Sequence, residues 1–184
     1  MLLHLDVKIQ IMEKIQAYLV GKSITSNDSN AHSLLTKSAF GEKKGDKIIY
    51  SLSETMFLTE NGKLEVLDSR NKQISQKELM NKLKRIDKKF PLKYPVFKDL
   101  REKGYIVKTA LKFGADFRIY NKGKRPGNEH AKWICFVDHE SGKLTWHDFS
   151  AKNRVAHSTK KNLLLAIVDE ENSVTYYEVD WVRT

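Results

Sequence analysis

Tyr120, His130 and Lys161 supply a phenol, an imidazole and an ammonium group in strongly basic surroundings. Residues 117–128 contain Arg118, Lys122, Lys124 and Arg125 without an acid, and residues 149–168 contain Lys152, Arg154, Lys160 and Lys161 without one; His130 lies just beyond the first window. RNA carries its own nucleophile, the 2′-hydroxyl. A protein can therefore cleave it with one group that helps remove that proton, one that protonates the leaving 5′ oxygen and one that stabilises the charged phosphorane. Imidazole, with an unperturbed pKa of about 6.5, suits the acid role at neutral pH, and a lysine offers a cation that need not lose its proton. A phenol, at about 10, is a poor base unless cations such as Lys161 lower it, so Tyr120 serves to orient the 2′-hydroxyl as much as to deprotonate it. These three side chains are the parts of a metal-free ribonuclease.

Other chemistries fit less well. His139, His147, His157 and Cys135 lack Cys-x-x-Cys or His-x-x-x-His spacing, so no metal site is expected. A metal-dependent DNA nuclease would need paired carboxylates beside a lysine on one strand face, and neither Glu129-His-Ala-Lys132 nor Glu140-Ser-Gly-Lys143 has that alternation. The single cysteine, Cys135, sits in the apolar run 133–137 and reads as a buried strand residue, without an intrachain disulfide. A net charge of +10, shared evenly by the two halves, favours a polyanionic partner. The longest apolar runs, such as 163–168, are too short to span a bilayer, and the first residues lack the pattern of a signal peptide, so the chain reads as cytoplasmic with no membrane association.

The elements that must position these groups are legible in part. Leu3, Leu5, Val7, Ile9 and Ile11 alternate with polar residues, and Ala17 to Val20 precede Gly21, which suits short strands and a turn. Ser51-Leu-Ser-Glu54 is a capping-box pattern that opens a helix over 52–60, followed by a strand over 63–67. Ser75-Gln-Lys-Glu78 opens a second helix, with Leu79, Leu83, Ile86 and Phe90 at helical spacing and Pro91 as its stop. Residues 95–103 form a third helix ended by Gly104. Strands are expected over 105–112, 117–120, 132–137, 163–168 and 174–182, and Thr145 caps a helix reaching His157. Trp133 and Trp146 are assigned to packing.

Read together, Gly114-Ala-Asp-Phe-Arg-Ile-Tyr120, Glu129-His-Ala-Lys132, Arg154-Val-Ala-His-Ser-Thr-Lys-Lys161 and Tyr176-Tyr-Glu-Val-Asp-Trp181 resemble, in order, the archaeal tRNA-splicing endonuclease (tRNA-intron endonuclease) family, catalytic subunit. The resemblance implies an α/β (α+β) chain. Residues 1–90 would form a small N-terminal α/β structural domain, and residues 91–184 a restriction-endonuclease-like nuclease domain whose mixed sheet is flanked by two helices. It implies Tyr120 as general base, His130 as general acid and Lys161 as transition-state stabiliser. The family places its lysine second in the basic pair after Ala156-His157-Ser158, which selects Lys161 over Lys160.

Arg154 and Trp181 match the family's base-clamping pair, in which a guanidinium and an aromatic ring sandwich an unstacked base. Asp138 and Glu140 match its acidic subunit-interface loop, and the final strand, with Tyr176 and Tyr177, is a candidate dimerisation strand. The implied substrate is precursor tRNA with a bulge-helix-bulge, cut at both intron borders without a cofactor. The implied assembly is a homotetramer (dimer of dimers) or a heterotetramer with a non-catalytic subunit. The alternative is a non-catalytic RNA-binding subunit of the same complex.

Overall fold

The computed structural model describes residues 14–180 and 182, so the expected alternation at Leu3 to Ile11 lies outside the described residues. The first half builds a mixed five-stranded sheet in the order β3-β4-β2-β1-β5. Its strands are β1 (Ile15–Val20), β2 (Ser23–Ser26), β3 (Glu42–Lys44), β4 (Lys47–Tyr50) and β5 (Leu64–Leu67). Only β1 and β5 run parallel. Helix α1 (Ser29–Ser38) follows β2, with Asp28 capping Asn30 N–H. Helix α2 (Leu52–Glu60) starts at the expected capping box: Ser51 accepts from Glu54 N–H, and the Glu54 carboxylate accepts from Ser51 N–H.

Helix α3 (Gln76–Ile86) is capped by Ser75 and buries Leu79 and Leu83 completely. It stops at Asp87, short of the expected end at Phe90, and the role of Pro91 is reversed. Helix α4 (Phe90–Glu102) begins one residue before this proline, where the missing N–H has no intrahelical acceptor to lose and the fixed φ suits the first turn. The expected 95–103 helix therefore starts five residues earlier and carries Pro95 inside it, where Pro91 C=O forgoes one helical hydrogen bond.

The second half builds another mixed sheet, β10-β9-β8-β7-β6. Its strands are β6 (Ile106–Thr109), β7 (Phe117–Tyr120), β8 (Trp133–His139), β9 (Asn162–Val168) and β10 (Val174–Val179). The expected strand over 105–112 is cut short by a 3₁₀ turn at Leu111–Phe113. β8 and β9 are parallel and are joined through α5 (Trp146–Ser158); the other pairs are antiparallel. α4 packs on one face of this sheet through Phe97 and Leu100, and α5 covers the other through Ala156 against Ile134 and Leu163. The expected mixed sheet between two helices is the observed one.

One apolar core joins the two sheets. Ring contacts Phe40–Phe57, Phe57–Phe97 and Phe97–Phe117, with centroids 5.7, 5.9 and 6.0 Å apart, run from the first half through α4 to β7. A buried ion pair reinforces the joint. Lys108 Nζ of β6 donates to Glu54 Oε1 at 2.8 Å and to Gly41 O at 2.7 Å, both side chains being 4% exposed. Gly41, at φ 79°, lies so close to Ile48 that a Cβ would collide with its Cγ2. Cys135 is fully buried, and that burial pushes its thiol pKa up, which suits the packing role read from its sequence context.

Candidate active site

Strand register brings the chemistry to one end of the second sheet. Ile119 of β7 pairs with Trp133 of β8, which pairs with Asn162 of β9. The row is extended by Lys132 N–H donating to Ile119 O at 2.9 Å and Asn162 N–H donating to Lys132 O at 3.0 Å. Tyr120, Lys132 and Lys161 are the next residues beyond this row on the three strands. Tyr120 and Lys161 are thus separated by one strand, or about 10 Å between backbones, a gap two inward-leaning side chains can share. Tyr120 is buried, 4% exposed. Among the described residues no hydrogen bond links Tyr120, His130 and Lys161 to one another; the sheet and its loops gather them.

The end of α5 separates the two lysines. Lys160 takes a left-handed conformation, φ 55°; its N–H bonds His157 O and Lys161 N–H bonds Ala156 O, each at 2.9 Å. This is a Schellman ending, and Lys160 serves it through its backbone while its side chain stays exposed. Lys161 is partly buried. Its ammonium donates to Thr159 O at 2.7 Å and lies 6.0 Å from the Phe113 ring centre. Burial first, and the positive Arg118 second, lower its pKa below the ordinary lysine value. Lys132 is engaged elsewhere, over the Trp133 ring and 3.4 Å from Glu178.

His130 comes from the loop between β7 and β8 and is exposed. The loop is folded on itself: Glu129 N–H donates to Arg125 O at 3.0 Å, and Lys124 Nζ pairs with Glu129 at 2.6 Å. Arg125 ties it to the first half, its guanidinium donating to Thr36 O and, at 2.7 Å, to Lys37 O in the last turn of α1. Carbonyls at a helix C-terminus lack intrahelical donors and carry partial negative charge, so a guanidinium belongs there. Arg125→Ala is expected to free the loop and slow RNA cleavage by roughly ten- to a hundred-fold, since small misplacements of a reacting group are that expensive. Unaltered circular dichroism with reduced single-turnover rate is the result to look for.

Arg154 is exposed on α5, and Trp181 lies outside the described residues. An open cleft of about 660 Å³ lies beside Lys161, lined by Asn153, His157 and Ser158 of the α5 end, Asn162, and Val179 and Asp180. It runs from the residue before Arg154 to the residue before Trp181. Asp138 and Glu140 sit at the other end of β8, in a turn closed by Glu140 N–H on Val168 O and Gly142 N–H on His139 O. The length of β8, seven residues or about 23 Å, separates that turn from its own Tyr120 and Lys161.

Trp133 packs against Tyr105 with ring centres 5.8 Å apart, whereas Trp146, expected to pack, is 83% exposed and meets Phe149 in a T-shaped contact. It is the first residue of α5. Arg118, two residues before Tyr120 and on the same strand face, lies beside these candidate residues although sequence reading did not single it out; the two-residue alternation was its signal. No helix among the described residues is long and apolar enough to cross a membrane.

Two mixed sheets sharing one core, with a phenol, a partly buried lysine and a histidine-bearing loop at one sheet end, define a mixed α/β protein with a basic candidate site. Residues 15–80 match the family model for the tRNA intron endonuclease N-terminal domain, and residues 90–176 that for the tRNA intron endonuclease catalytic C-terminal domain. The chain is 43% identical to the tRNA-splicing endonuclease of Pyrococcus abyssi over 92% of its length and 97% of that protein. It is 44% identical to that of Thermococcus kodakarensis over 90% and 97%, and 40% identical to that of Methanothermobacter thermautotrophicus over 84% and 89%. The chain belongs to the tRNA-intron endonuclease family.

Proposed function

We propose that this chain is the catalytic subunit of a tRNA-splicing endonuclease, cutting precursor tRNA at both intron borders of a bulge-helix-bulge by metal-independent attack of the 2′-hydroxyl. The observation that carries this reading is the register across β7, β8 and β9, which sets Tyr120 and Lys161 at the sheet end where the His130 loop enters. The products are a 2′,3′-cyclic phosphate and a 5′-hydroxyl. Tyr120 orients the 2′-hydroxyl and takes up its proton, directly or through water. The 2′ oxygen attacks phosphorus, and negative charge builds on the non-bridging oxygens beside the Lys161 ammonium. His130, exposed on its loop, donates a proton to the departing 5′ oxygen. The RNA needs no second nucleophile, so no covalent enzyme intermediate forms.

Residues 1–90 act as the structural domain and 91–184 as the catalytic one. Arg154 and Trp181 clamp a splayed bulge base, because A-form RNA hides its major groove and its sequence is accessible where bases are unstacked. The turn of Asp138 and Glu140, remote from its own site, docks on a neighbouring subunit, and the edge strand β10, with Tyr177 55% exposed, pairs with its counterpart. The assembly is a homotetramer formed as a dimer of dimers, or a heterotetramer with a non-catalytic subunit, working in the cytoplasm.

The test is cleavage of precursor tRNA in EDTA, beside a substrate with a 2′-deoxy nucleotide at the scissile position. Cutting in EDTA that stops with the deoxy substitution is expected, with 2′,3′-cyclic ends on the products. Cutting that requires a divalent metal, or that survives the deoxy substitution, would sink the mechanism. The mass of the protein expressed alone, by size exclusion, separates the two assemblies.

A further inference from the structure

We propose that Arg118 is a second phosphate-binding cation of this site, taking a non-bridging oxygen of the RNA backbone next to Lys161 in exchange for its ion pair with Glu42. The inference rests on the reading of the site as one that cleaves RNA.

Placement comes first. Side chains alternate along a strand, so Arg118 and Tyr120 share one face of β7. Arg118 is in register with Ile134, which is in register with Leu163, and both pack with Ala156 of α5. Lys161 lies two residues before Leu163 and faces the same side, above Phe113. Arg118 on β7 and Lys161 just before β9, one strand apart across β8 and with Tyr120 beyond Arg118 at the sheet end, are two cations that repel one another until an anion joins them. Burial chiefly, and the Arg118 charge after it, hold the Lys161 ammonium below the ordinary lysine pKa.

The state of the guanidinium points the same way. Nε of Arg118 is buried and has no hydrogen-bond partner among the described residues, an arrangement native proteins rarely leave in place. Nη2 meets Glu42 Oε1 of β3 at 3.3 Å, and the Glu42 side chain is 60% exposed. Nε and Nη2 form one edge of the guanidinium fork, which suits two oxygens of a phosphate; Glu42 engages one of the two positions. An exposed pair of this kind is weak and readily exchanged. Lys108, in register with Arg118 on β6, is already committed to Glu54 and Gly41 O, and Arg125 to α1, so neither competes for the ligand. A cleft of about 480 Å³ opens from Arg118 between Glu42 and Lys43 on one side and Gly127 and Asn128 of the His130 loop on the other. It gives the sugar–phosphate backbone a path along which Arg118 and Lys161 hold the same or adjacent phosphates.

The test compares wild type, Arg118→Met, Arg118→Lys and Glu42→Gln, each checked for native thermal unfolding and assembly mass. Binding of the uncleavable 2′-deoxy RNA is measured across salt concentrations, with single methylphosphonate groups placed at the scissile phosphate or at its neighbours. Arg118→Met is expected to weaken binding about tenfold or more and to lower the slope of log affinity against log salt by about one. One methylphosphonate that weakens wild type should cost Arg118→Met nothing further. Arg118→Lys should recover part of the affinity, and Glu42→Gln should bind more tightly than wild type. Wild-type binding and cleavage by Arg118→Met, or methylphosphonate penalties retained in full, would overturn the proposal. So would a changed assembly mass in both Arg118 variants, which would make Arg118 a subunit contact. Failure of wild type itself to cut precursor tRNA would instead defeat the reading of the site as a ribonuclease.

Discussion

Lys161→Ala is expected to slow single-turnover cleavage at saturating RNA by about 10²–10³-fold, the loss typical of removing one preorganised donor to a developing oxyanion. Lys160→Gly, one position away, is expected to cut at the wild-type rate. It should also be more stable by up to about 1 kcal/mol, because it relieves a non-glycine residue of a left-handed conformation. The contrast follows from the end of α5, where the Lys160 backbone turns the chain at φ 55° and Lys161 then enters the site beside Thr159 O. Both variants keep the two Schellman hydrogen bonds, which use backbone atoms alone. Paired thermal melts and single-turnover rates check the forecast. Comparable activity losses in the two variants would mean that the basic pair acts through its summed charge, and the assignment of the stabiliser to Lys161 would fall.

What the sequence made legible are the elements whose signals are local. The capping residues of α2 and α5 are adjacent to the helices they start, and the four-residue strand β7 lies between turn residues; all three were read to within one residue at their ends. Helix α1 carries no comparable signal: Asp28 caps it without a glutamate to complete a box, and Ala31 is its one fully buried residue. Strand β3 is three exposed polar residues at a sheet edge, which no apolar periodicity can reveal. The error at Pro91 was one of context. A proline ends one helix or begins the next with equal ease, and the Asp87 side chain, bonded to Lys89 N–H and Lys93 Nζ, settles the matter in the structure.

The site divides in the same way. Tyr120 and Lys161 could be named because their neighbours form ordered motifs, but their distance is a product of two strand registers that no local pattern encodes. Arg118 was visible only as one basic residue among several. Its meaning depends on Glu42, seventy-six positions away, and on Lys161 across the sheet. The hold of Arg125 on α1 spans a still longer stretch of chain. Trp146 shows the limit from the other direction, since an aromatic at a helix start reads as packing until its exposure is seen.

Lys108→Met is expected to be the most destabilising single change outside the apolar core. It would leave the Glu54 carboxylate buried with its bonds to Gly41 N–H and Ser51 but with no cation, and breaking a buried pair from one side costs about 3–5 kcal/mol. For a chain of this size that is a fall in melting temperature of roughly 6–20 °C. The double variant Lys108→Met/Glu54→Gln should recover much of the loss, because the uncompensated charge, and not the missing lysine, is the larger penalty. Activity carries a second consequence. Lys108 is in register with Arg118, and the pair Lys108–Glu54 fixes β6, and through it β7 with Tyr120, against the first sheet. Below its melting temperature the single variant should therefore cleave more slowly than wild type, and the double variant should regain stability ahead of rate. Thermal unfolding of the three variants measures the first effect and single-turnover cleavage the second. A double variant no more stable than Lys108→Met would show that lost packing, not stranded charge, is what the joint between the two sheets cannot tolerate.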